Sequence, residues 1–158
     1  MRTQDAILAK CWDREAGAFF SLAGKEERPL RVLTAASLAP CILDDLSSEQ
    51  RHALHGHIEA SDRFGTPNPL PSVAVRGPTL QRSLRYPFWR GPTWLNLNWL
   101  VQRGLSKHGE AAARLTRRTS ALVERSSFRE CYEPFAGSGL GARDFGWSTL
   151  VVDICMAY

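Results

Sequence analysis

The chain has 158 residues, 44% of them apolar and 23% charged, with a formal net charge of +4. That length supports one buried core, and this composition excludes a disordered chain or a fibre. No apolar run approaches the roughly 18 residues a membrane helix needs, and Met1-Arg-Thr-Gln-Asp5 lacks a signal peptide's apolar region, so a soluble cytoplasmic protein is expected.

In chain order, Asp5 to Trp12 reads as a short helix, with Ala6, Ile7, Leu8, Ala9 and Cys11 as its apolar positions. Gly17 to Val32 mixes Phe19 and Phe20 with Gly24 and the charged run Lys25 to Arg28, which fits an irregular or hairpin connection. Ala35 to Leu43 resumes an apolar helix that Pro40 should kink or end. Ser47 followed by Gln50 forms a capping box, and Leu54 and Ile58 continue the helical spacing to Ala60.

Asp62 to Tyr86 is a proline- and glycine-rich connection, long for a compact domain unless it lines something. Pro92 opens a helix over Thr93 to Leu105, and a second helix from Lys107 to Arg125 folds back on it as an antiparallel hairpin. A glycine-rich loop, Phe135 to Gly146, leads into a last helix from Trp147 to Met156.

Several signals carry little chemistry. The four cysteines, Cys11, Cys41, Cys131 and Cys155, form no C-x-x-C pair and read as free thiols. His52, His55 and His57 lack a known ligand spacing and read as solvent-exposed, so no metal is expected. Arg114, Arg117, Arg118 and Arg125 read as a solvated helix face, with no nucleic acid partner. Asp144-Phe-Gly146 matches a kinase tripeptide without the rest of the kinase set, and Gly137 to Gly141 reads as a turn with no preceding strand.

The most informative stretches are Trp89-Arg-Gly-Pro-Thr-Trp-Leu-Asn-Leu-Asn-Trp99 and Phe128-Arg-Glu-Cys-Tyr-Glu-Pro134. They combine indoles with an arginine, amides and carboxylates. Aromatic faces stack on the C–H faces of pyranoses, while Arg and Asn supply fixed donors and acceptors for hydroxyls. That set points to a carbohydrate ligand.

These runs, with Gly104 to Gly109 and Gly139-Leu-Gly-Ala-Arg-Asp-Phe-Gly-Trp147, resemble the C-terminal part of the mannosylglycerate hydrolase and mannosyl-oligosaccharide glucosidase group, glycoside hydrolase family sixty-three. Weaker similarity extends upstream through Trp12-Asp13, Gly17 to Phe20, Pro40, Phe64 to Pro67 and Pro69 to Ser72.

The resemblance implies an all-α fold: part of an α/α toroid, the C-terminal half of a six-hairpin barrel, with long loops. Residues 1–158 then form a single domain that lacks the N-terminal half of a catalytic domain. An inverting hydrolase needs a general acid and a general base about 6.5 to 9.5 Å apart. The family's base falls on Glu130; its acid motif has no counterpart here, and Asp5 and Asp13 align with non-catalytic positions. The sugar contacts implied are Trp89, Arg90, Trp94, Asn98 and Trp147, while Trp99 reads as core. No cofactor is expected.

Cys131 stands where the family has tyrosine, and Ser138 where a glutamate is common; both count against full activity. Two readings follow: a truncated or split inverting glycosidase acting on α-glucosides or α-mannosides such as mannosylglycerate, or a non-catalytic sugar-binding or helical interaction remnant. Exposed packing faces imply an N-terminal partner chain or self-association.

Overall fold

The computed structural model describes residues 3–77, 80, 89–105 and 109–157. It opens with helix α1 (Thr3–Lys10), shorter at its C-terminal end than its apolar pattern predicts, because Trp12–Asp13 leaves the helix as strand β1 and pairs antiparallel with β2 (Ala18–Phe19). A second small hairpin joins β3 (Leu22–Ala23) and β4 (Arg28–Pro29), so the connection expected after Gly17 holds the second strand of one hairpin and the whole of another.

Ala35 to Leu43 is not one kinked helix. It is two 3₁₀ turns, Ala35–Ser37 and Ala39–Ile42, with Pro40 in the opening turn of the second. The proline has no N–H for a continuous helical ladder, so the chain breaks before it.

Helix α2 (Ser48–Glu59) begins at the predicted box: Ser47 Oγ accepts from Gln50 N–H at 3.1 Å and Gln50 Oε1 accepts from Ser47 N–H at 2.9 Å. Helices α3 (Leu95–Leu105) and α4 (Gly109–Ser126) follow, although Lys107, the expected start of the second, lies outside the described residues. Pro92 does not open α3. Thr93 instead pairs in isolated bridges with Pro71 and Tyr132, which holds it extended.

Beyond α4, strands β5 (Arg129–Tyr132) and β6 (Gly139–Arg143) form a hairpin, and the 3₁₀ turn Gly146–Thr149 runs into helix α5 (Leu150–Met156). The expected glycine-rich loop is therefore partly strand. With three two-stranded hairpins among the described residues, the architecture is helical with small sheets rather than all-α.

One apolar cluster joins Phe19, Leu38, Leu54, Phe64, Val101 and Leu105, and a second joins Leu95, Leu122, Val123, Tyr132 and Val151. The second lies beneath the β5–β6 hairpin. No helix among the described residues is long and apolar enough to cross a membrane. All four cysteines are free thiols, and burial pushes Cys41 and Cys131 up to about 12.

His57 is not solvent-exposed. It is 4% accessible, its Nε2 is 2.9 Å from the Ala16 carbonyl and its Nδ1 is 2.8 Å from an Arg63 guanidinium nitrogen. That geometry assigns the neutral ring, donating from Nε2 and accepting at Nδ1. Burial first, and then the Arg63 charge, lower its pKa against opposing contributions from the Ala16 carbonyl and Asp62. Because the unfolded chain takes the proton more readily, this contribution is complete above the unfolded value of about 6.5 and is lost as pH falls below it. Urea midpoints measured between pH 8 and pH 5 are expected to fall across that window, with a flatter curve for His57→Gln.

Candidate active site

Thr93 knots three segments together. It exchanges both backbone hydrogen bonds with Tyr132, at 2.8 and 3.0 Å, and its hydroxyl donates to the Pro69 carbonyl at 2.9 Å. Ser72 reinforces the join: its N–H donates to the Pro92 carbonyl at 3.0 Å, and its Oγ accepts from Gly91 N–H at 2.8 Å. The two stretches singled out in the sequence are thereby brought side by side.

Trp89, Trp94 and Trp147 gather into one aromatic cluster. Trp89 and Trp94 stack with centroids 4.2 Å apart at 15°, and Trp147 lies 5.5 and 5.8 Å from them in tilted and edge-on orientations. Phe145 meets Trp147 edge-on at 5.4 Å. Trp94 is 2% accessible and its indole N–H is buried without a partner among the described residues, whereas Trp89 is 52% accessible. A buried donor without an acceptor costs about 1–3 kcal/mol, so such an orphan marks a place where a ligand oxygen would be stabilising.

Asn98 requires correction as a sugar contact. Its Oδ1 accepts from Leu70 N–H at 2.9 Å, and its Nδ2 donates to the Leu70 and Trp94 carbonyls at 3.0 and 2.9 Å. At 1% accessibility it is a backbone clamp with its donors already used, and it fixes Trp94 rather than a hydroxyl. Trp99 is half-buried and donates to Asp153 on α5.

Arg90 is exposed and makes no hydrogen bond or ion pair with any described residue, Glu130 included. With Trp89, Ser72, Thr34 and Ser37 it lines a hollow of about 370 Å³.

Glu130 sits where the β5–β6 register breaks, between Arg129 and Cys131. The extra residue is on β6, where Gly141 and Ala142 together lie opposite Glu130. The carboxylate folds over the partner strand, and Oε2 accepts from Ala142 N–H at 3.0 Å. Gly141 makes this possible: its φ is +65°, and a Cβ there would collide with Glu130 Oε2. Gly141→Ala is expected to combine about 1–2 kcal/mol of left-handed strain with displacement of the carboxylate. A modest fall in melting temperature is the expected reading.

Two other carboxylates have local duties. Glu133 Oε2 accepts from the N–H groups of Phe135 and Ala136, capping its own turn, and Asp13 accepts from Ala16 N–H and pairs with Arg31. Among the described residues, no group of three or more His, Cys, Asp or Glu side chains is placed to hold a metal ion. Sequence reading missed Thr93, Ser72 and Gly141 as builders of the site. Gly139-Leu-Gly141 was visible, but its role depends on a cross-strand neighbour.

The family model of the mannosylglycerate hydrolase MGH1-like glycoside hydrolase domain matches residues 1–148. The chain belongs to this family. The mannosylglycerate hydrolase of Thermus thermophilus is 38% identical over 145 residues, covering 89% of this chain and 34% of that protein. Mannosylglycerate hydrolase MGH1 of Selaginella moellendorffii is 31% identical over 159 residues, covering 98% of this chain and 28% of that protein.

The crystal structure of a GH63 mannosylglycerate hydrolase from Thermus thermophilus in complex with glucose superposes with a TM-score of 0.85 at 33% identity, covering 97% of this chain and 38% of that one. This MGH1-like chain thus spans about a third of the length of these relatives, and its fold fits the α/α toroid of its GH63 neighbours.

Proposed function

We propose that this MGH1-like chain carries the general-base half of an inverting α-glycosidase site, one part of an α/α toroid. Glu130 deprotonates the attacking water; the exposed Trp89 and Trp147 form the sugar-facing wall with Trp94 stacked beneath Trp89, and Arg90 supplies donors to the sugar or its aglycone. The general acid is supplied by sequence outside these residues. The substrate class is α-mannosides or α-glucosides such as mannosylglycerate, by analogy with relatives named for that activity. The observation that carries the reading is Glu130 held opposite the β6 bulge, on the strand that the Thr93–Tyr132 pairing ties to the segment carrying Trp94.

A substrate whose leaving group needs no protonation isolates this half of the reaction. Fluoride is such a leaving group, so α-mannosyl fluoride requires a base for water but little help from an acid. Fluoride release above the solvent rate, lost in Glu130→Ala, is the expected result. A second reading, sugar binding without catalysis, is favoured by the Trp89–Trp94 stack, which covers the Trp94 face. It is the outcome if no fluoride appears while methyl α-mannoside still changes the tryptophan fluorescence.

A further inference from the structure

The geometry points to the Tyr132 hydroxyl, acting with Ser148, as the positioning device for Glu130, an inference that rests on the assignment of Glu130 as the base. Tyr132 is wholly buried, with its ring in the cluster formed by Leu95, Leu122, Val123 and Val151. Its hydroxyl accepts from Arg129 N–H at 3.2 Å, and its one proton is directed at the Ser127 carbonyl, 2.9 Å away, and at Ser148 Oγ, 3.1 Å away. Ser148 Oγ in turn donates to the Arg129 carbonyl.

Both backbone polar groups of Arg129, the residue before Glu130, are therefore held by buried hydroxyls. The Arg129 carbonyl belongs to the same peptide group as the Glu130 nitrogen, so the plane from which Glu130 departs is fixed by Ser148. Ser127, the remaining acceptor, has φ +59°, an uncommon conformation for a residue with a side chain. Backbone strain of this kind persists only where its surroundings over-determine it.

Ser148 also follows Trp147 directly. One small hydroxyl network thus sets the position of the base relative to the aromatic wall. A tyrosine serving stability alone would need one partner for its hydroxyl; this one has three, from two segments, and two of them, Arg129 N–H and Ser148, bear on the residue preceding Glu130.

The test uses Tyr132→Phe, which keeps the ring and removes the hydroxyl, with Ser148→Ala as a second variant should the first fail to fold. On α-mannosyl fluoride, kcat is expected to fall roughly 10- to 100-fold with KM nearly unchanged, the scale of an ångström-sized misplacement. Azide, an anionic nucleophile that needs no deprotonation, is expected to restore turnover by attacking C1 as fluoride leaves. Rescue separates a misplaced base from a damaged fold. An unchanged kcat in both variants, or a loss that azide does not repair, overturns the positioning role while leaving the base assignment intact. If Glu130→Ala releases fluoride as fast as the parent, the base assignment fails and this inference falls with it.

Discussion

Glu130→Ala is expected to slow fluoride release from α-mannosyl fluoride by roughly 10²- to 10⁴-fold, the usual contribution of a positioned general base. The substitution removes one hydrogen bond, from Ala142 N–H, on a partly exposed strand. Its effect on stability should be only about 1 kcal/mol. A melting temperature within a few degrees of the parent would therefore accompany near-complete loss of turnover.

Azide added to the variant should recover activity and yield the β-configured mannosyl azide, because attack from the face opposite fluoride inverts C1. Three measurements decide the matter: fluoride by electrode, anomeric configuration of the azide by NMR, and thermal unfolding. Retention of the parental rate would remove Glu130 from the mechanism.

Gly104→Ala should produce the largest loss of stability. In a solvent-facing helix, Gly→Ala is usually favourable by about 1 kcal/mol. Gly104 lies on α3 against the second 3₁₀ turn, and a Cβ there would collide with Cys41 Sγ and with the backbone of Cys41 and Ile42. Cys41 has little room to yield, since it is 6% accessible and its thiol donates to the Val101 carbonyl at 3.4 Å. Overpacking a rigid core typically costs about 1–3 kcal/mol, and backbone collision places this case at or above the upper end.

For a chain of this size that is a fall of roughly 5 °C or more in melting temperature. Gly56 on α2 is the matched control, with nothing within 4 Å of its would-be Cβ. Gly56→Ala should leave the melting temperature unchanged or raise it. A stable Gly104→Ala protein would mean that α3 and the 3₁₀ turn are free to separate.

Local rules written into neighbouring residues were legible in the sequence. The Ser47–Gln50 box, the Leu54–Ile58 spacing and the long amphipathic run through Leu115 and Leu122 all became helices, because their determinants act within one or two turns. Long-range pairing was not legible. Gly139-Leu-Gly-Ala-Arg143 has poor intrinsic strand propensity and becomes a strand only because β5 offers it a ladder. Thr93 follows a proline that looks like a helix start, yet the bridge to Tyr132 outweighs that signal.

The candidate site divides along the same line. The three tryptophans singled out in the sequence do gather. Asn98 is the instructive miss. Its composition suited a hydroxyl contact equally well, but the extended Leu70 backbone claims its amide, a neighbour far away in sequence. His57 was misjudged for the same reason, since Ala16 is what buries its ring edge.

The Thr93–Tyr132 bridge has a kinetic meaning as well. Its two residues lie about forty positions apart, and closing a flexible loop of that length carries an entropic cost that grows with the logarithm of its size. That cost falls once α3 and α4 have formed and packed, because the intervening chain is then two rigid rods rather than a coil. The hairpin that carries Glu130 should thus dock late in folding, onto helices already in place. Mutations that loosen the α3–α4 pair would then slow the maturation of the site without touching any residue in it.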